Sequence, residues 1–70
     1  MIRRDIWSVK EWDSAVEPAQ YVHSRMFRSA DSAFRYRNGN PHPEGIPHKV
    51  VHPADWVVDF FVLCGNKIDA

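Results

Sequence analysis

The sequence predicts a small α+β protein, in which N-terminal helices are followed by a short β-hairpin or wing and a C-terminal helix or strand. Three observations support this fold class. Apolar residues recur at helical spacing in the first half of the chain, a loop rich in proline and glycine follows at residues 38–47, and β-branched residues come next. We expect a single domain over residues 1–70, because a chain of this length has no room for a second.

The composition is that of a folded, soluble chain. Hydrophobic residues make up 44% of the sequence and aromatic residues 13%, which is rich for a length that buries about 60% of its unfolded surface. The lone cysteine, Cys64, leaves no partner for an internal disulfide, so we expect an intracellular, cytoplasmic setting. No apolar run approaches the roughly 20 residues that span a bilayer, and we expect no membrane partner.

The N-terminal part of the chain predicts an extended arm and then a helix. Residues 1–7 form the arm, and Ser8 with Glu11 matches the capping box that begins many helices. A first helix over about 9–17 follows, and Pro18 either ends it or opens the next helix as its first residue. Its apolar residues lie at i, i+3 and i+7: Val9, Trp12 and Val16.

The next segment, from Ala19 to Arg37, again has apolar residues at helical spacing. One helix could run through the whole segment. Alternatively, a helix ends near Met26 and Ser29 caps a new one. A strand over 20–28 is the third possibility, and its support comes from β-branched and aromatic residues alone.

The stretch Ser29–Gly39 has both a start signal and a stop signal for a helix, a capping serine and a terminal Asn-Gly. Its inner side is expected to carry Ala30, Ala33 and Phe34. Its outer side is expected to carry a hydroxyl, a guanidinium and a phenol, from Ser32, Arg35 and Tyr36. Such a set suits contact with a partner.

The C-terminal part predicts a loop, a strand and an ambiguous last element. Residues 38–47 form the loop, and His48–Val51 is a short strand. Pro53 either sits in a turn, which makes Trp56–Leu63 the returning strand of a hairpin, or is the first residue of a helix. The two readings are close, and the order of elements slightly favours the helix.

This order of elements resembles small winged helix-turn-helix proteins of the phage excisionase type and the DNA-binding domain of phage small terminase subunits. The Val-Lys-Glu-Trp sequence that ends at Trp12 would belong to the first helix. The resemblance implies that Ser29–Arg37 is the recognition helix, that residues 39–47 lead to the wing, that Lys49 lies on the wing, and that 55–61 is a closing helix. It implies a non-enzymatic protein whose partner is duplex DNA.

The charge distribution agrees with an anionic partner, although the whole chain has a net charge of zero. Residues 19–50 carry five basic groups and two acidic ones. If the resemblance holds, Ser32 and Arg35 would point outward from the recognition helix, where arginine can donate two hydrogen bonds to guanine. Tyr36 belongs to the same set of candidate nucleic-acid-binding residues. The candidate phosphate contacts are Arg28, Arg37 and Lys49, with Arg3 and Arg4 as further possibilities.

A protein partner is the alternative from another functional class. The neutral charge, the excess of aromatic residues and the stiff loop also suit a small phage-type inhibitor that blocks a host or defence protein. Its anchors would be Trp7, Tyr36 and Trp56, and a homodimer is also compatible with this composition. The sequence has no pattern typical of an active site, a cofactor or a metal: His48 and His52 are four apart but lie between prolines, and the glycines are scattered.

Overall fold

The described part of the chain folds as a four-stranded sheet with one ten-residue α-helix packed on one face. The computed structural model describes residues 5–56 and 68–69. The strands lie in the order β3-β1-β2-β4, with β1 antiparallel to both neighbours and β4 parallel to β2. The elements are β1 (Trp7–Asp13), β2 (Gln20–Phe27), α1 (Ala30–Gly39), β3 (Lys49–Val51), a 3-10 turn (Pro53–Asp55) and β4 (Ile68–Asp69). The α+β class is confirmed, and the arrangement with N-terminal helices is wrong.

The helix expected over 9–17 is strand β1. Ser8 and Glu11, which match a capping box, lie on opposite faces of this strand: Oγ of Ser8 bonds Nδ1 of His23, whereas Glu11 accepts a hydrogen bond from Tyr36 on α1. Pairing with β2 on one side and β3 on the other gives the β1 backbone its partners. The helical spacing of Val9, Trp12 and Val16 therefore does not determine the local structure, because pairing in the sheet outweighs it.

Strand β2 corresponds to the third possibility, a strand over 20–28, so neither helical reading holds for these residues. The new helix capped by Ser29, which the second reading included, is confirmed. The strand has a bulge, because Val9 pairs with Arg25 while the next residue of β1 pairs with His23. The extra residue is Ser24, whose hydroxyl donates to the carboxylate of Glu11 and lies 3.3 Å from the carbonyl of Val9. In the segment before β2, the Glu17–Pro18 peptide is cis.

Helix α1 agrees with the prediction for Ser29–Gly39 in its limits. The Ser29 hydroxyl accepts a hydrogen bond from the amide of Ser32 at 3.2 Å, as an N-cap should. The faces differ in part from the expectation. Ala33 is buried against the sheet as predicted, but Phe34 is 38% exposed and Tyr36 packs on the core.

The core lies mainly between α1 and the sheet. Val9, Phe27 and Ala33 form its centre, with Trp7, Tyr36 and Val50 packed around them. The other face of the sheet buries Ser8 and Met26. Trp56 lies on that face: its indole N–H donates to the carbonyl of Ile6 at 3.2 Å, and its ring stacks on His23 at 4.5 Å.

The two predicted irregular segments have different outcomes. In the expected arm, Ile6 is fully buried and Trp7 begins β1, and residues 1–4 lie outside the described part. The loop after α1 runs over residues 40–48. It turns through a hydrogen bond of 2.9 Å from the Gly45 amide to the His42 carbonyl, and Gly45 has a φ of 76°.

The strand expected at His48–Val51 is confirmed as β3. The helix expected to begin at Pro53 amounts to a single 3-10 turn, because the backbone at Trp56 is already extended. Residues 57–67 lie outside the described part, so the choice between helix and strand there is not decided. None of the helices in the described part is long and apolar enough to cross a membrane.

Candidate nucleic-acid interface

Three of the predicted site residues line one shallow depression on the side of α1. They are Ser32, Arg35 and Tyr36, and the depression, of about 300 Å³, is completed by Phe27 and Asn40. Positions i, i+3 and i+4 are neighbours on a helix surface, which explains the grouping. Arg35 is exposed, whereas Ser32 and Tyr36 are half-buried. We call this surface the α1 flank.

Tyr36 is held firmly at the α1 flank. Its hydroxyl donates to Oε2 of Glu11 at 2.9 Å, and its ring lies 5.5 Å from the ring of Phe27. Burial raises the pKa of Tyr36; a hydrogen bond from Arg25 opposes this shift, and the carboxylate of Glu11 adds to it. The phenol therefore stays neutral, with its ring fixed between α1 and β2.

Arg25 is a member of the site that sequence reasoning missed. Its guanidinium carbon lies 5.5 Å from the centre of the Tyr36 ring, a cation–π distance. The helical reading of residues 20–28 gave this residue no place beside the helix. Alternation along a strand would have suggested it, because Arg25 is two residues before the buried Phe27 and so lies on the same face.

The other predicted phosphate contacts are not gathered at the α1 flank. Arg28 is exposed in the link before α1 and lies 3.9 Å from the carboxylate of Asp5. Arg37 is on the opposite side of the helix, with its guanidinium 4.8 Å from the centre of the Phe34 ring. Lys49 is on the face of the sheet away from α1, where its ammonium lies 4.2 Å from the centre of the Tyr21 ring.

A cluster of polar side chains supports the α1 flank from inside. The carboxylate of Glu11 accepts hydrogen bonds from the hydroxyls of Ser24 and Tyr36, and its Oε1 lies 3.5 Å from Nε2 of His48. The same Nε2 bonds the carbonyl of Asn40. Glu11 therefore joins β1 to β2, α1 and the loop over residues 40–48.

Comparison with protein-family models, curated proteins and solved structures finds no match for this chain. The resemblance to winged helix-turn-helix proteins thus stays a prediction, and the segment that it assigns to a first helix is β1. Within residues 5–56 and 68–69, no group of three or more histidine, cysteine or acidic side chains is placed to hold a metal ion.

Proposed function

We propose that this protein binds duplex DNA through the α1 flank. The observation that carries the proposal is the depression in which the exposed Arg35 and the hydroxyl of Ser32 lie beside the fixed ring of Tyr36. A guanidinium can neutralise a phosphate or donate two hydrogen bonds to guanine, and a hydroxyl can bond either a phosphate or a base. The depression is shallow and open, which suits contact with an extended partner better than enclosure of a small molecule.

The position of α1 is compatible with docking into the major groove. The helix covers one face of the sheet, and its outward residues include Asp31, Arg35 and Asn38. An α-helix fits a groove about 12 Å wide. In this arrangement Arg35 would reach the bases, while Arg25 and Arg28 would lie near the two strands of phosphates. Arg37 and Lys49 point elsewhere and have no part in this contact.

The expected binding is modest and sensitive to salt. With two or three arginines at phosphates, the logarithm of the association constant should fall with the logarithm of salt concentration with a slope of roughly −2 to −3. The neutral net charge adds no long-range attraction to this local contact.

The test is a fluorescence anisotropy titration of a labelled duplex at about 50 and about 200 mM salt. We expect Arg35→Ala to weaken binding by about 1–3 kcal/mol with little change in the slope, because this residue is placed at the bases and not at a phosphate. Arg37→Ala is the matched control, because it removes the same charge from the opposite side of α1. The proposal would be wrong if the chain did not bind at the lower salt concentration, or if both variants lost affinity equally.

A protein partner is the second candidate, and one observation favours it. Phe34 is 38% exposed, lies 6.5 Å from Trp7, and is covered on one face by Arg37. Aromatic and arginine side chains of this kind are enriched at the centres of protein interfaces. An inhibitor that used this surface would show no DNA binding at low salt. Its complex with the blocked protein would be weakened by Phe34→Ala and retained by Arg35→Ala.

A further inference from the structure

The face of the sheet opposite α1 combines aromatic and basic side chains. Alternation along β1, β2 and β3 places five of them there: Lys10, Trp12, Tyr21, His23 and Lys49. None of the described side chains that these strands place on this face is acidic. Trp56 stacks on His23 and covers one side of its ring. The other four of these side chains form a surface that we call the lysine–aromatic face.

Tyr21 lies across the sheet, and contacts at both ends fix its ring. β1 separates β2 from β3, yet the Tyr21 hydroxyl donates to the carbonyl of Pro47, just before β3, at 2.9 Å. The ring therefore spans β1, and the ring of Trp12 lies 5.3 Å from it at an interplanar angle of 80°. Tyr21 and Trp12 are both half-buried, so each keeps part of its surface open to solvent. A ring that is already fixed loses little entropy when a planar group stacks on it.

Two lysines place positive charge beside these rings. Lys49 is exposed, and its ammonium lies 4.2 Å from the centre of the Tyr21 ring. Lys10 is the residue directly opposite Lys49 where β1 pairs with β3. Burial and, to a smaller extent, the charge of Lys10 lower the pKa of His23, which agrees with a position of the Lys10 ammonium on the same face.

The pairing of Lys10 with Lys49 is electrostatically unfavourable. Like charges that lie directly opposite each other on neighbouring strands destabilise a sheet. The described part of the chain places no carboxylate within 4 Å of either ammonium. An anionic partner would supply this countercharge, whereas a neutral or cationic partner would not. The charges on this face therefore indicate an anion, and the rings beside them indicate a planar group.

We propose that the lysine–aromatic face binds single-stranded nucleic acid, with bases stacked on the two rings and phosphates beside the two ammonium groups. A nucleotide joins a flat base to an anion, and these are the two features that the face selects. Lys49 is exposed on a flexible stem, so its ammonium can move from the Tyr21 ring to a phosphate and leave the ring to a base.

The face selects single strands over duplexes. In a duplex each base is paired and stacked within the helix, so a protein ring can stack only on a base that is free. Every base has a flat face, and we therefore expect little preference for sequence. The α1 flank lies on the other side of the sheet, and single-strand binding does not depend on duplex binding there.

The test is a fluorescence anisotropy titration of the full chain with a labelled strand of about eight thymidines, at about 50 and about 200 mM salt. The logarithm of the association constant should fall with the logarithm of salt concentration with a slope of roughly −1.4, because two phosphates are neutralised. An abasic strand of the same length has the phosphates without the bases. It should bind at least about tenfold more weakly.

Two variants separate the two kinds of contact. Trp12→Ala should weaken binding of the thymidine strand about tenfold and leave binding of the abasic strand unchanged, because it removes a stacking surface alone. Lys49→Met should weaken binding of both strands and reduce the steepness of the slope by about 0.7, which corresponds to one phosphate. It removes one of two opposed like charges at an exposed position, so it keeps the test valid if Trp12→Ala does not fold.

Arg37→Met is the matched control, because it also removes a positive charge from beside an aromatic ring, but on α1. It should keep single-strand binding. Arg35→Ala should lose duplex binding and keep single-strand binding, which distinguishes failure of one proposal from failure of the other. Equal affinity for the abasic strand, equal losses in Arg37→Met and Lys49→Met, or equally tight binding of a polyglutamate peptide would each overturn the single-strand site.

Discussion

The hydroxyl of Tyr36 donates a 2.9 Å hydrogen bond to the carboxylate of Glu11, and this contact joins α1 to the central strand β1. The same carboxylate accepts from Ser24 on β2. Ala33 alone would fix how closely the helix approaches the sheet, because a small apolar side chain has no directional contact. The bond to Glu11 adds a direction and fixes the position of the Tyr36 ring.

Tyr36→Phe should destabilise the protein by about 1–2 kcal/mol, because a partly buried carboxylate loses one of its donors while the ring is kept. Urea unfolding followed by fluorescence measures the change. Tyr21→Phe is a matched control, since the Tyr21 hydroxyl donates to the carbonyl of Pro47 at an exposed position. It should cost less than about 1 kcal/mol. If both variants lost the same unfolding free energy, the hydrogen bond to the Glu11 carboxylate would be no more stabilising than an exposed one.

Alanine substitutions at two glycines should have opposite effects on stability. Gly45 has a φ of 76°, so Gly45→Ala should cost about 1 kcal/mol or more although the space around it is open. Gly39 ends α1 and also has open space, so Gly39→Ala should stabilise by a few tenths of a kcal/mol up to about 0.5. Thermal unfolding of both variants checks the contrast, and two changes of the same sign would contradict it.

Stability should fall in mild acid, in part because of His23. Burial, with a smaller effect of the positive charge of Lys10, lowers the pKa of His23 below its ordinary value of 6.5. The unfolded chain therefore binds this proton more tightly than the folded chain. The free energy of unfolding should be highest above pH 6.5 and should decrease as the pH falls from there towards the lower pKa of the folded state.

His23→Asn isolates that contribution, because the shorter amide does not titrate and still offers a polar atom near Ser8. We expect a lower stability for the variant at neutral pH, since stacking on Trp56 is lost. We also expect a smaller fall in its unfolding free energy between about pH 7 and about pH 5. A pH profile parallel to that of the unchanged protein would rule out His23 as a source of the acid sensitivity.

Helix α1 was predictable because its signals are local. The cap at Ser29 and the Asn-Gly stop act within one or two turns, and Ser32, Arg35 and Tyr36 fall on one side of any helix with these limits. The strand β3 was predictable for a similar reason, since β-branched residues follow a loop rich in proline.

Strand β1 was not predicted, and β2 was only the last of three readings of its segment, because the stability of both strands comes from pairing between distant residues. Both faces of β1 are covered, one by α1 and the other by residues that include Trp56. Apolar and polar residues alternate from Trp7 to Lys10, but the pattern breaks at Glu11. Glu11 points towards the helix and is satisfied there by a polar cluster. A polar residue at an inward position misleads any reading that is based on hydrophobic pattern.

The environment of the candidate site was hidden for the same reason. The place of Arg25 beside Tyr36 follows only once residues 20–27 are known to be a strand, because alternation then puts Arg25 on the same face as Phe27. Arg35 and Arg37 lie on opposite sides of α1 because they are two positions apart on a helix. The prediction of one basic DNA-binding surface did not take this spacing into account.

The hydrogen bond from His42 to the carbonyl of Trp12 has a consequence for self-association. This carbonyl lies beyond the last paired residue of β3, where β1 would otherwise offer an unpaired edge to another chain. The imidazole occupies that edge as a further strand residue would. A single side chain from a loop thereby opposes the edge-to-edge pairing of strands through which small sheet proteins aggregate.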